Sequence, residues 1–158
     1  MKYTLPKDTE INATIIKEAI DYMMERGEKV GLVSVHLYRP FSVKYLAAVM
    51  PKTVKRIAVL DRTKEPGSNG EPLYLDVVEA FSSTPELREL NPTIVGGRFA
   101  LAANDTTPAL IMGVYENLAL PEPKNHFTVG IVDDVTFLSL PKKEEIAVVD
   151  GMFEAKFY

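Results

Sequence analysis

At 158 residues the chain is long enough for one domain with a real core and too short for two of ordinary size. With 46% hydrophobic and 25% charged residues it has the balance of a folded globular protein, and a net charge of -4 without a basic stripe argues against a nucleic-acid surface. The absence of cysteine excludes disulfides, thiolate catalysis, zinc-thiolate centres and cysteine-held iron-sulfur clusters within this chain. The opening MKYTLPKDTE lacks the apolar core of a signal peptide and no run reaches bilayer length, so a cytoplasmic location, with neither membrane nor nucleic acid as partner, is the expectation.

From Ile11 to Arg26, apolar residues recur at three- and four-residue steps, which predicts a helix capped by Thr9 or Asn12 and stopped at Gly27. The run KVGLVSVHLY, Lys29 to Tyr38, has almost no polar interruption and predicts a strand buried on both faces. SVKYLAAVM follows as a short helix with Ser42 as N-cap, ended by Pro51. KRIAVLD repeats the buried-strand pattern, and a helix between two apolar strands implies a parallel sheet.

Beyond Asp61 the loop RTKEPGSNGE leads to a helix PLYLDVVEAFSS with Pro72 in its first turn. PTIVGG reads as a short strand, and NDTTPALIMGVYENL as a helix capped by Asp105 or Thr106 with Pro108 in its first turn. After a proline-broken linker, FTVGIVDDVTFLSLP is a strand-like run interrupted by two carboxylates, and EIAVVDGMFEAKFY offers a further strand and a turn at Asp150-Gly151. The result is an α/β three-layer sandwich with a mainly parallel sheet. The pattern opens on a helix, where a βαβ sheet would open on a strand, so a first strand is expected to be missing.

Ligands of parallel α/β sheets meet the loops that leave the carboxyl ends of strands. Three such places hold charge here: Tyr38-Arg39, the loop with Asp61, Arg62, Lys64, Glu65 and Gly67, and Gly96-Gly97-Arg98. They are expected to share one surface, which suggests an interface. The first loop of interest could be a connector held by its own ion pairs, bind an anion or face another domain. Gly96-Gly97 could present amides to an anion, although a tight turn is the plainer reading. No phosphate-loop or dinucleotide motif is present. Asp133 and Asp134 could form a metal or acid-base pair with His126 nearby, but adjacent residues of an extended segment point to opposite faces. The other histidine, His36, stands at no ligand spacing from it, so no catalytic or metal-binding residue is assigned.

The stretches VHLYRPFS, VLDRTKEPG, GEPLYLDV and KNHFTVGIVDDVTFLSLP resemble an internal segment of the pyruvate:ferredoxin (flavodoxin) oxidoreductase family, from about Gly27 to Pro141, with a weaker continuation to Tyr158. The resemblance implies the second domain of a large homodimeric enzyme, similar in fold to the C-terminal domain of transketolase and lacking its first strand. Residues 1–141 would form that domain, and 142–158 would begin the connection to the next. The family oxidatively decarboxylates pyruvate to acetyl-CoA and passes electrons to ferredoxin or flavodoxin. Its thiamine diphosphate, magnesium, iron-sulfur clusters and coenzyme A are implied for the full-length enzyme and none for this chain. Its partners would be the other domains of the same polypeptide. Many members carry Tyr and Gly at Phe99 and Ala100, and a Lys near Asn104, where this chain departs.

On this resemblance Asp61 to Gly67 is an interdomain docking loop, with Arg62, Lys64 and Glu65 as its charged contacts, and the chain alone is expected to be inactive. The competing reading is a freestanding α/β binding or assembly subunit that holds an anionic metabolite or partner on the three-loop surface. A small hydrolase using Asp133, Asp134 and His126 ranks behind both, since no catalytic motif supports it.

Overall fold

The structure, a computed structural model, describes residues 7–101, 106–131 and 135–141, with residues 7–14 as helix backbone only. Helix α1 runs Lys7–Glu25, so Thr9 and Asn12 lie inside it and not at its cap. It ends where Gly27 takes φ +82, with the Gly27 amide on Met24 O and the Glu28 amide on Met23 O at 2.9 and 3.1 Å, the pairing that closes a helix on a left-handed residue. Helix α2 (Val43–Val49) starts after Ser42, whose side chain makes no capping bond. Strand β1 is Arg56–Asp61, helix α3 Pro72–Ser83, the single turn α4 Pro85–Arg88, strand β2 Thr93–Arg98, helix α5 Pro108–Ala119 and strand β3 Phe127–Thr128. Proline opens α3, α4 and α5, where its missing N–H costs nothing. The cap of α5 is Thr107, which accepts from the Leu110 amide. Thr106 is buried one residue before it, and Asp105 lies outside the described residues.

The sheet order is β1-β2-β3, all parallel, with Arg56 to Asp61 in register with Thr93 to Arg98. Alternation sorts β1 between two layers. Ile57 and Val59 pack with Leu46, Val77, Ala80, Phe81 and Leu87 of α2, α3 and α4. Ala58 and Leu60 face Leu110, Val114 and Phe127 on the α5 side, and α1 lies against α5 through Ile20, Met23 and Ile111. Each such side chain removed from water stabilises the fold by about 1.5–3 kcal/mol. This is the three-layer α/β architecture with a parallel sheet that the pattern of elements predicts.

The expected strand Lys29–Tyr38 does not form. Residues 28–35 are irregular, Gly31 to Leu37 are exposed, and Leu37 is 70% exposed. An apolar run records a preference for burial, but a strand exists only where a neighbour offers its backbone. Only Val30 reaches the core, and the hydroxyl of Tyr115 donates to Gly31 O at 2.9 Å.

The expected long run from Phe127 is likewise a strand only at Phe127–Thr128, because Gly130 turns away with φ +80. Residues 138–140 then return beside it, with the Thr128 amide on Leu138 O and the Leu140 amide on Thr128 O. Asp133 and Asp134, Asn104, the strand from Glu145 and the Asp150-Gly151 turn lie outside the described residues.

Candidate functional site

The three charged segments meet at the first turns of α3. Asp61, the last residue of β1, is buried, and its carboxylate accepts from the amides of Leu73 at 3.0 Å and Tyr74 at 3.1 Å. Glu71 occupies the cap position of α3 and makes no capping bond, so Asp61 caps the helix from across a ten-residue loop. Burial pushes the Asp61 carboxyl above its ordinary value, with the carboxylates of Glu71 and Asp76 adding to the rise, against the pull of the two amides.

Arg98 stands in register with Asp61 yet turns its guanidinium to Glu71, Nε to Oε1 at 2.5 Å. Glu71 is 1% exposed, and its Oε2 has no hydrogen-bond partner among the described residues. The Arg98 Nη1 also reaches His126 O at 3.5 Å. Arg39 bonds Asp76 of α3 at 2.6 Å and donates to the Tyr38 hydroxyl at 2.7 Å, with its guanidinium 4.2 Å from the Tyr38 ring. Burial, reinforced by Asp76, raises the Tyr38 phenol.

Gly96 and Gly97 lie in β2 itself, not in a turn, and both are buried. A Cβ on Gly96 would come within 2.9 Å of the Tyr74 ring, and one on Gly97 would enter the Phe127 ring. The Gly96 amide donates to Asn125 Oδ1 at 2.7 Å, so it is not free for an anion. Asn125 also receives the His126 amide and donates to the Tyr74 hydroxyl, and the Tyr74 ring meets His126 edge-on at 5.4 Å.

The loop is thus pinned at both ends, and its middle stands out. Arg62, Lys64 and Glu65 are exposed and have no polar side-chain partner among the described residues, so they do not pair with one another. Gly67 turns the chain at φ +81, and Ser68 Oγ donates to Gly70 O at 2.8 Å. Glu71, Tyr74, Asp76 and Asn125 are the members that sequence reasoning missed. Only Glu71 carried a signal, its place directly before a helix-opening proline.

Residues 9–101 match the family described as "Pyruvate:ferredoxin oxidoreductase core domain II". The chain belongs to this family. It is 56% identical over 126 residues to the pyruvate-flavodoxin oxidoreductase of Enterobacter agglomerans, covering 80% of this chain and 10% of that protein. It is 50% identical over 145 residues to the pyruvate:ferredoxin oxidoreductase of Moorella thermoacetica, covering 91% of this chain and 12% of that protein. This core domain II chain therefore spans about a tenth of the length of these relatives.

Neither of two helix starts among the described residues offers free amides to a diphosphate. The α3 amides that a diphosphate would use are taken by Asp61, and the start of α5 is capped by Thr107. The described residues hold no cluster of three metal-ligating side chains. No helix among the described residues is long and apolar enough to cross a membrane.

Proposed function

We propose that the chain is the docking domain of a pyruvate:ferredoxin or pyruvate:flavodoxin oxidoreductase, and that it contributes contacts to assembly while other domains hold the reacting groups. The whole enzyme would be a cytoplasmic homodimer that converts pyruvate to acetyl-CoA with thiamine diphosphate, magnesium, coenzyme A and iron-sulfur clusters, and reduces ferredoxin or flavodoxin. The observation that carries the reading is the contrast within one loop. Asp61 and Glu71 hold its ends, while Arg62, Lys64 and Glu65 remain exposed and unspent. Charges held out on a pinned loop lose little conformational freedom when another surface meets them.

Replacing Arg62 by Ala in the full-length enzyme tests the reading. Assembly or pyruvate-dependent reduction of the carrier should fall several-fold, with the fold of this domain intact by circular dichroism. Unchanged assembly and turnover would remove the loop from the interface.

A further inference from the structure

Of the six asparagines in the sequence, one is followed by glycine: Asn69-Gly70, in the loop between β1 and α3. An asparagine amide is lost when the backbone nitrogen of the next residue attacks its Cγ and ammonia leaves. A following glycine, with no Cβ in the way, gives that nitrogen its freest approach. A fold prevents the reaction by holding either group, and here neither is held. Asn69 is exposed, and its side chain makes no hydrogen bond among the described residues. The Gly70 amide has no backbone acceptor among them and only a long contact, 3.4 Å, to Ser68 Oγ.

The other described asparagines are each protected. Asn117 bonds the Lys124 backbone through both side-chain atoms, at 3.0 and 2.9 Å. Asn125 accepts from the Gly96 and His126 amides and donates to the Tyr74 hydroxyl. Asn91 is exposed, but Pro92 after it has no N–H to give up. Asn12 stands inside α1, where the Ala13 amide belongs to the helix ladder. Nor can the reactive pair be defused at its glycine. A Cβ on Gly70 would come within 2.5 Å of the Tyr74 ring, so the packing that closes the loop demands the very residue that makes Asn69 labile.

We propose that Asn69 is a site of spontaneous deamidation, a covalent modification of the loop that ends at Glu71. The Gly70 nitrogen gives up its proton and bonds to Asn69 Cγ, the Cγ–Nδ2 bond breaks, and ammonia leaves with the proton. Water then opens the cyclic imide at either carbonyl and leaves an aspartyl or an isoaspartyl residue. Water is taken up and ammonia released, with no oxidant, reductant or cofactor. Each event adds a negative charge between Glu65 and Glu71 to a chain whose net charge is already -4. The isoaspartyl product also adds a methylene to the backbone between Ser68, whose hydroxyl donates to Gly70 O at 2.8 Å, and that carbonyl. The modification belongs to the chain itself and stands whether or not the loop docks.

Peptide mapping by mass spectrometry tests it, on the chain held folded at neutral and at mildly alkaline pH and on the same chain in urea. In the folded chain the peptide carrying Asn69 should exchange its amide nitrogen for oxygen, faster at the higher pH and within about tenfold of the rate in urea. Asn117 and Asn125 should stay amides there. Isoelectric focusing of the aged chain should show a new acidic band, and an isoaspartyl methyltransferase should label it. Asn69→Gln, whose longer side chain closes a ring far more slowly, should remove most of that label while the fresh variant keeps the wild-type denaturation midpoint. If Asn69 stays an amide in the folded chain, whether or not urea converts it, the proposal is overturned. Conversion first at any other asparagine, or a label that Asn69→Gln leaves undiminished, overturns it as well.

Discussion

The Asp61 carboxylate and the Leu73 amide, twelve positions apart, close the loop between β1 and α3 at 3.0 Å. Removing the carboxylate leaves two helix amides without their acceptor, so Asp61→Ala should lower stability by about 1–3 kcal/mol in urea denaturation. Burial raises this carboxyl in the folded state, so the native protein binds the proton more tightly than the unfolded chain. Stability from this group is therefore greatest at acid pH and falls as pH rises through the carboxylate range above 3.8. Asp61→Asn, which keeps one acceptor, should flatten that slope. A pH series of denaturation midpoints for wild type and variant measures it.

Glu71 and Arg98 form a pair with a different cost. Arg98→Met strands a carboxylate that is 1% exposed, and should cost about 3–5 kcal/mol. The double variant Glu71→Leu with Arg98→Met should recover much of the loss. A thermodynamic cycle over the four proteins gives the coupling directly, and additive losses would show that the pair is not coupled.

Gly97→Ala sets a methyl group into the ring of Phe127, a residue that is fully buried. The expected loss is about 1–3 kcal/mol, and Phe127→Leu should relieve it in the variant background. Comparing the substitutions singly and together by chemical denaturation separates overpacking from a general effect on the strand.

Burial of Tyr115 pushes its phenol up to about 12 from 10.0. Between these values the unfolded chain gives up its proton and the folded one keeps it, so stability declines across that window as pH rises. Ultraviolet titration should show a late tyrosine step at about 12. Tyr115→Phe should abolish that signal and also free the chain at Gly31, which the hydroxyl holds at 2.9 Å.

Much of this fold was legible because its boundaries are steric. Pro72 and Pro108 mark helix starts through a property of their own rings, and Gly27 marks a stop through the φ it permits. The segment Lys29 to Tyr38 was misread for the opposite reason. Its apolar side chains describe what it prefers, while pairing depends on another backbone. At the site, Asp61, Arg39 and Arg98 were named as candidates from their place after apolar runs, and the structure brings them to one helix end. Which carboxylate each guanidinium chooses depends on side-chain reach across elements, and local sequence carries no trace of that. Asn125 was invisible because an asparagine in a linker looks like any turn residue until the strand it serves is known.

Asn125 also changes what the far side of the sheet offers to its surroundings. Its side-chain amide occupies the Gly96 N–H that a longer β3 would have met, and residues 138–140 take up Thr128. The β3 side is two residues long and already spoken for, so it presents almost no template on which a stray chain could grow into an ordered aggregate. Among the described residues, an asparagine, not a proline or a lysine, is the gatekeeper of that side of the sheet.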